Sequence, residues 1–322
     1  MADLPEDRLK PGPPFSFVGI DTFGPWPILF RKTRGGCAEQ KRWAILFTCL
    51  VSRAIHIEVT EELSSAAFIN AFRRFVALRG PVKVIRSDRG TNFIGAITDL
   101  GIKAEFCENG PVDKAISAFG TTWKFNPPHA SHFGGSWERM IGISRRILDT
   151  MIMREKTKLT HDSLLTLMAE VCAIVNSRPL LNVSSDPDSP EVLSPSVLLT
   201  HKPAPCNLVL SNFNTKDMIR SQWKLVQGLS DEFWSKWSKE YIHTLQSRRK
   251  WESNNDNLRE GDVVLLRDKN LNRSQWPLAI ITKVFPSVDG NVRKVEVKTI
   301  KNNESVVYVR PVVELILLVP VD

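Results

Sequence analysis

Phe15-Ser16-Phe17-Val18-Gly19-Ile20-Asp21 is an apolar run closed by a carboxylate. Its length and composition predict a buried strand with Asp21 at its end. Val82-Lys83-Val84-Ile85 is a shorter version that runs straight into Ser87-Asp88-Arg89-Gly90. Between the two, residues 43–50 and 54–59 read as strands, joined so tightly at Ser52-Arg53 that they form a hairpin. Ser64 then caps a helix expected from Ser65 to Leu78, with Phe68, Phe72 and Phe75 on one face and Gly80-Pro81 at its end. Residues 95–120 are weakly patterned and read as a short helix and a loop. Thr122-Trp123-Lys124-Phe125 is one more strand. A long helix starts near Gly135 or Ser136 and runs to about Arg154; another runs from Asp162, its expected N-cap, to about Ser177. Three strands, helix, strand, loop, strand, helix predicts an α/β fold with a mixed sheet.

Further along, the character changes. Residues 182–215 are rich in Ser, Pro and Asp and read as a linker. Residues 216–252 carry a helical stripe of Trp223, Val226, Phe233, Trp237, Tyr241 and Leu245. Helical spacing makes this stripe a packing face more readily than a base-stacking one. Five short β-rich runs follow within 258–319, with Ser287-Val288-Asp289-Gly290 as a hairpin turn, and they suggest a small closed β-barrel. Trp276 reads as barrel core.

Composition narrows the function classes. The chain has 322 residues, 42 % of them hydrophobic, and no apolar run of bilayer-spanning length. No membrane partner is expected. The net charge of +8 divides evenly between residues 1–215 and 216–322, so no basic tail accounts for it. Such a balance suits an anionic partner without naming it. The five cysteines form no CxxC pair, which argues against a disulfide framework or a structural zinc site.

Three carboxylates stand out by position: Asp21 after the first strand, Asp88 after the fourth and Glu138 in the first turn of the long helix. Such groups can converge at one edge of a sheet, and oxygen donors there suit a pair of hard divalent cations. Taken singly, each has a plainer reading, as a turn residue or a complement to the helix dipole. The surrounding sequence changes that balance.

Gly19-Ile20-Asp21-Thr22-Phe23-Gly24-Pro25, Ser87-Asp88-Arg89-Gly90-Thr91-Asn92-Phe93 and Pro127-Pro128-His129-Ala130-Ser131-His132-Phe133-Gly134-Gly135-Ser136-Trp137-Glu138-Arg139 resemble, in order, the three signature blocks of retroviral and long-terminal-repeat retrotransposon integrases. The nearest resemblance is to the BEL/Pao group of animal retrotransposons, and it extends through Phe233-Trp234-Ser235-Lys236-Trp237, Leu245-Gln246-Ser247-Arg248 and Gly261-Asp262-Val263-Val264-Leu265. It implies a linker at 1–14, a ribonuclease-H-like mixed-sheet catalytic core at 15–200, a helical linker at 201–257 and a small SH3-like β-barrel at 258–322 that binds DNA or multimerises. Asp21, Asp88 and Glu138 become catalytic metal ligands for two Mg²⁺ or Mn²⁺ ions.

The same resemblance sets Asn92, His129, Ser136, Arg139, Arg145 and Arg146 against DNA. Arg145 and Arg146 read equally well as a solvated helix face. His129 and His132 are poorer Mg²⁺ ligands than carboxylates and suit loop packing or DNA contact. The implied enzyme is a polynucleotidyl transferase and endonuclease that trims element 3′ ends and joins them to target DNA. It would act as a homo-multimer in the nucleus.

Two departures bear on this. Arg89 stands where many relatives have asparagine. The Asp88–Glu138 interval is 50 positions, so 95–120 reads as an insertion that loops out. The family also carries a His/Cys zinc module ahead of the core, and the residues here begin in the linker that would follow it. The alternative is therefore a non-catalytic, host-adopted DNA- or chromatin-binding descendant. A ribonuclease H, which shares the fold, is a third reading.

Overall fold

The computed structural model describes residues 9–33, 36–87, 103–106, 120–125, 135–155, 158–182, 192–202, 221–245, 257–267, 273–301 and 304–321. The chain divides into two compact units, Met1–Asn176 with Ser211–Phe233, and Ser177–Leu210 with Trp234–Asp322.

The first unit is built on a six-stranded mixed sheet. Its strands are β1 (Phe17–Thr33), β2 (Gly36–Cys49), β3 (Ile55–Thr60), β4 (Val84–Ser87), β5 (Lys103–Phe106) and β6 (Thr122–Phe125), in the spatial order β3-β2-β1-β4-β6-β5. β1 to β3 form an antiparallel meander, and β4 joins β1 in parallel, followed by β6 and β5. That order, with helices against it, is the expected ribonuclease-H-like arrangement. Helix α1 (Ser65–Arg79) fills the step between β3 and β4. The Ser64 hydroxyl accepts the Ala67 N–H at 3.2 Å as its N-cap. Phe68, Phe72 and Phe75 are buried, and Phe75 stacks on Phe47 of β2 with centroids 4.1 Å apart.

Helices α2 (Gly135–Arg154) and α3 (His161–Asn176) complete the core. The α3 cap is Thr160, not Asp162: the Ser163 N–H donates to the Thr160 hydroxyl at 3.2 Å. At the far end, the buried Asn176 amide accepts from Ile55 N and donates to Ile55 O, both at 2.8 Å. Those two bonds satisfy the start of β3, an edge strand.

Two readings of this unit are corrected. Asp21 does not end its strand, because β1 runs on to Thr33. Residues 95–120 do more than form a helix and loop: 103–106 add a sixth strand, paired in parallel with β6.

In the second unit, short β7 (Leu181–Asn182) and β8 (Val192–Leu193) pair with each other, and α4 (Pro195–Thr200) follows. Helix α5 (Gln222–Leu245) contributes its C-terminal half to this unit. There Trp234, Trp237 and Tyr241 are buried, each with its ring against Trp276 at 4.9–6.0 Å. Trp223, expected in the same stripe, is instead 54 % exposed in the helix's first turn, with the Lys224 ammonium over its ring.

Strands β9 (Val263–Leu266), β10 (Leu278–Pro286), β11 (Val292–Lys301), β12 (Glu304–Pro311) and β13 (Leu315–Val319) form an antiparallel sheet in the order β12-β11-β10-β9-β13. Its core is Val264, Ala279, Ile281, Val295, Val297 and Leu315. The buried Asp262 carboxylate accepts from Arg259 N and from Val321 N, at 2.8 and 2.9 Å, and so fastens the chain's last residues beside β9. The expectation of a closed barrel is corrected. After the 3₁₀ turn Val312–Glu314 the chain pairs β13 with β9, not with β12, and the sheet keeps two edges among the described residues.

Candidate active site

Of the sequence-predicted carboxylates, Asp21 lies on β1, and β4 ends at Ser87, the residue before Asp88. β4 is anchored at its start, where Lys83 N and Val84 N both donate to Ser16 O, at 2.8 and 3.2 Å. From there Phe17 pairs with Val84, Val18 with Ile85 and Gly19 with Arg86. β6 braces the other side of β4: Thr122 N donates to Lys83 O at 2.8 Å and the Thr121 hydroxyl to Val82 O at 2.7 Å. At the end of β4 the fully buried Trp123 indole N–H donates to the buried Ser87 hydroxyl at 2.9 Å. A buried indole needs an acceptor, and here the acceptor is the residue directly before Asp88. Sequence reasoning missed this bond; a tryptophan inside a predicted core strand is the signal that would have prompted the search.

Asp21 is half-buried on β1, opposite Leu46 of β2. Its Oδ1 accepts the Thr22 N–H at 2.8 Å. Asp88, Asn92 and His129 lie outside the described residues. Ser136, Glu138 and Arg139 belong to the first turns of α2, but their side chains lie outside those described. Among the described residues no three His, Cys, Asp or Glu side chains form a metal-holding group.

α2 is held against the sheet by its buried face of Ile143, Ser144, Ile147, Leu148, Met151 and Ile152. The buried Trp26 of β1 adds a specific tie, its indole N–H donating to Asp149 Oδ1 at 2.8 Å. The opposite face carries Gly142, Arg145 and Arg146, all exposed. A Cβ placed on Gly142 would meet nothing within 4 Å, so this part of the helix backbone is open to close approach. Arg145 reaches Asp149 at 3.7 Å, with both side chains nearly half exposed, a weak pair that leaves the guanidinium available to a stronger anion.

A polar cluster around the buried His56 and Glu58, not expected from the sequence, lies at the other side of the sheet. His56 Nε2 is 2.9 Å from Glu58 Oε1, and Arg74 Nε donates to Glu58 Oε2 at 2.7 Å. Arg79 approaches His56 Nδ1 at 3.4 Å. Arginine only donates, so Nδ1 accepts and Nε2–H donates to Glu58. Burial pushes the Glu58 carboxyl up, but the bonds from His56 and Arg74 outweigh it and hold the group below the usual carboxylate range.

The model of a family of unknown function, DUF5641, matches residues 221–318, less than half of the chain. No curated protein matches. Among solved structures, the chain is similar to one in the simian T-cell lymphotropic virus intasome in complex with PP2A regulatory subunit B56 gamma, at 12 % identity and a TM-score of 0.34 over 99 % of this chain and 84 % of that one. It is also similar to the HTLV-2 integrase catalytic core domain in complex with magnesium, at 14 % identity and a TM-score of 0.32 over 52 % of this chain and 90 % of that one. At such scores a superposition does not establish a shared fold, and the fold described above stands on its own strand order.

Proposed function

We propose that the chain is an integrase of the BEL/Pao type, a metal-dependent polynucleotidyl transferase that trims the 3′ ends of retroelement DNA and joins them to target DNA. The observation that carries this reading is the β1–β4 register. Gly19 and Arg86 are its last pair, and Asp21 and Asp88 each stand two residues further along the sequence from that pair. Glu138, in the first turn of α2, is the third carboxylate. Two neighbouring strands and a helix start are a common way to bring such groups to one sheet edge, and three carboxylates form an all-oxygen donor set that fits Mg²⁺ or Mn²⁺.

In this reading Asp21, Asp88 and Glu138 hold two metal ions. When bound, the ions supply activation of the attacking oxygen and charge stabilisation of the leaving one. The protein's own part is to position the DNA. Arg145 and Arg146 offer guanidinium groups to phosphate beside the bare backbone of Gly142, and Asn92, His129, Ser136 and Arg139 complete the contact. The partners are element ends and target DNA, the working form is a homo-multimer, and the place of action is the nucleus.

The test is oligonucleotide strand transfer, or the less demanding reverse joining reaction, with Mg²⁺ or Mn²⁺. Glu138→Gln and Asp88→Asn are each expected to lower joining by about a hundredfold or more while the protein stays folded. Folded protein that binds DNA without metal dependence and joins no substrate would overturn the catalytic reading in favour of the DNA-binding descendant. Preferential cleavage of the RNA strand of a hybrid would favour a ribonuclease H.

A further inference from the structure

The second unit's sheet has two edges, and they are built differently. β13 is blunted: its pairing with β9 shifts register between Leu317 and Val319, and Pro320 follows immediately. β12 has neither device within it. It pairs with β11 in unbroken register from Glu304 to Pro311, contains no lysine, and has its one proline in last place. Among the described residues, no backbone group bonds to its outer side. Val307 and Val309, 51 % and 45 % exposed, stand two residues apart and therefore on one face. An edge in unbroken register, with three β-branched valines and charges only near its ends, is a template for another strand.

We propose that β12 is a self-association strand: a second copy of this chain adds its own β12, antiparallel, across a two-fold axis through Val307. The strand's sequence selects both occupant and register. Directly opposed residues of an antiparallel pair share one hydrogen-bonding class, so a symmetric ladder centres on a single residue. Centring on Val307 sets the acidic position 304 opposite the basic position 310 at both ends, Ser305 opposite Val309, and Val307 against its own copy. The neighbouring registers lose this match. Centring on residue 306 faces position 304 with Tyr308 and pairs fewer residues. Centring on residue 308 faces Arg310 with Val306 and draws Pro311 into the ladder. Arg310 lies over the Tyr308 ring at 5.2 Å and reaches Glu314 only at 4.0 Å, contacts at an exposed position that it can exchange for a carboxylate opposite it. Exposed valines that would otherwise face water become a row shared by two sheets. The inference is independent of the catalytic reading, and its test uses neither DNA nor metal.

Sedimentation velocity of the full chain over a concentration series tests it. A reversible dimer is expected, weakened about tenfold or more by Val307→Lys, which sets like charges together on the axis. Glu304→Arg and Arg310→Glu each weaken it, and the double exchange restores it because both ends regain opposite charges. On mild oxidation, Val307→Cys cross-links to its own copy while Val313→Cys, 76 % exposed but outside the strand, does not. A monomer throughout the series, a dimer indifferent to Val307→Lys, or a double exchange no better than the single changes would overturn the proposal.

Discussion

Ser87 is fully buried and receives the Trp123 indole N–H, one residue before the aspartate on which the proposed chemistry depends. Ser87→Ala removes that acceptor without adding bulk. It is expected to cost about 1–2 kcal/mol, because the indole N–H stays buried without this partner. If the bond also sets the position of Asp88, the variant needs more Mg²⁺ for half-maximal joining, which stability loss alone does not produce. Urea unfolding and a metal titration of strand transfer separate the two effects. Glu58 gives a second test at this scale. Its carboxyl is held below the usual range in the folded state, so its contribution is complete above the unfolded-state value and is lost as pH falls through the folded one. Glu58→Gln should therefore be less stable than the parent at neutral pH, with the gap closing in acid. Melting temperatures from pH 7 down to pH 3 check this, and a gap that widens in acid would contradict the assigned bonding.

β1 shows how an element can be legible at one end and hidden at the other. Phe15 to Asp21 announces a strand that the sequence reading ends at Asp21, and the Gly24-Pro25 that follows cannot donate a proline N–H to a ladder. The structure keeps the strand going because β4 pairs only with Phe17 to Gly19. Beyond that point β1 pairs along its length with β2, with one further bond from Leu29 N to Leu159 O at 2.8 Å, and the Gly24-Pro25 step is absorbed as a register shift between Phe23 and Trp26. Gly24 has φ +105°, and a Cβ there would lie 3.1 Å from Arg42 O. Gly24→Ala is expected to destabilise the protein by about 1–3 kcal/mol in chemical denaturation. Helix α1 was legible throughout, since its cap, aromatic face and terminating glycine all agree. β5 was not, because Lys103-Ala104-Glu105-Phe106 is too short for periodicity to separate from a loop. Its strand character comes from its neighbour β6.

For the molecule as a whole, strand order settles the fold, while net charge says little about what the protein does. The three acidic blocks named the candidate site from the sequence, and the β1–β4 ladder ends two residues before Asp21 and before Asp88; the distances among the three carboxylates were never a property that sequence spacing could supply. The charge of +8 is shared evenly along the chain, so it predicts attraction to DNA without saying which surface grips it. Salt dependence can say which. Each phosphate neutralised releases counterions and steepens the fall of log K against log salt by about 0.9 for duplex DNA. If Arg145 and Arg146 each contact one phosphate, Arg145→Ala/Arg146→Ala lowers the magnitude of that slope by about 1.8, and weakens binding most at low salt. Fluorescence anisotropy from 50 to 300 mM salt reads the slope directly. A simple loss of fold would abolish binding at every salt concentration, whereas a solvated helix face with no DNA role would leave slope and affinity unchanged. A lower slope in a folded variant therefore assigns the exposed face of α2 to the DNA, beside the helix start that carries Glu138.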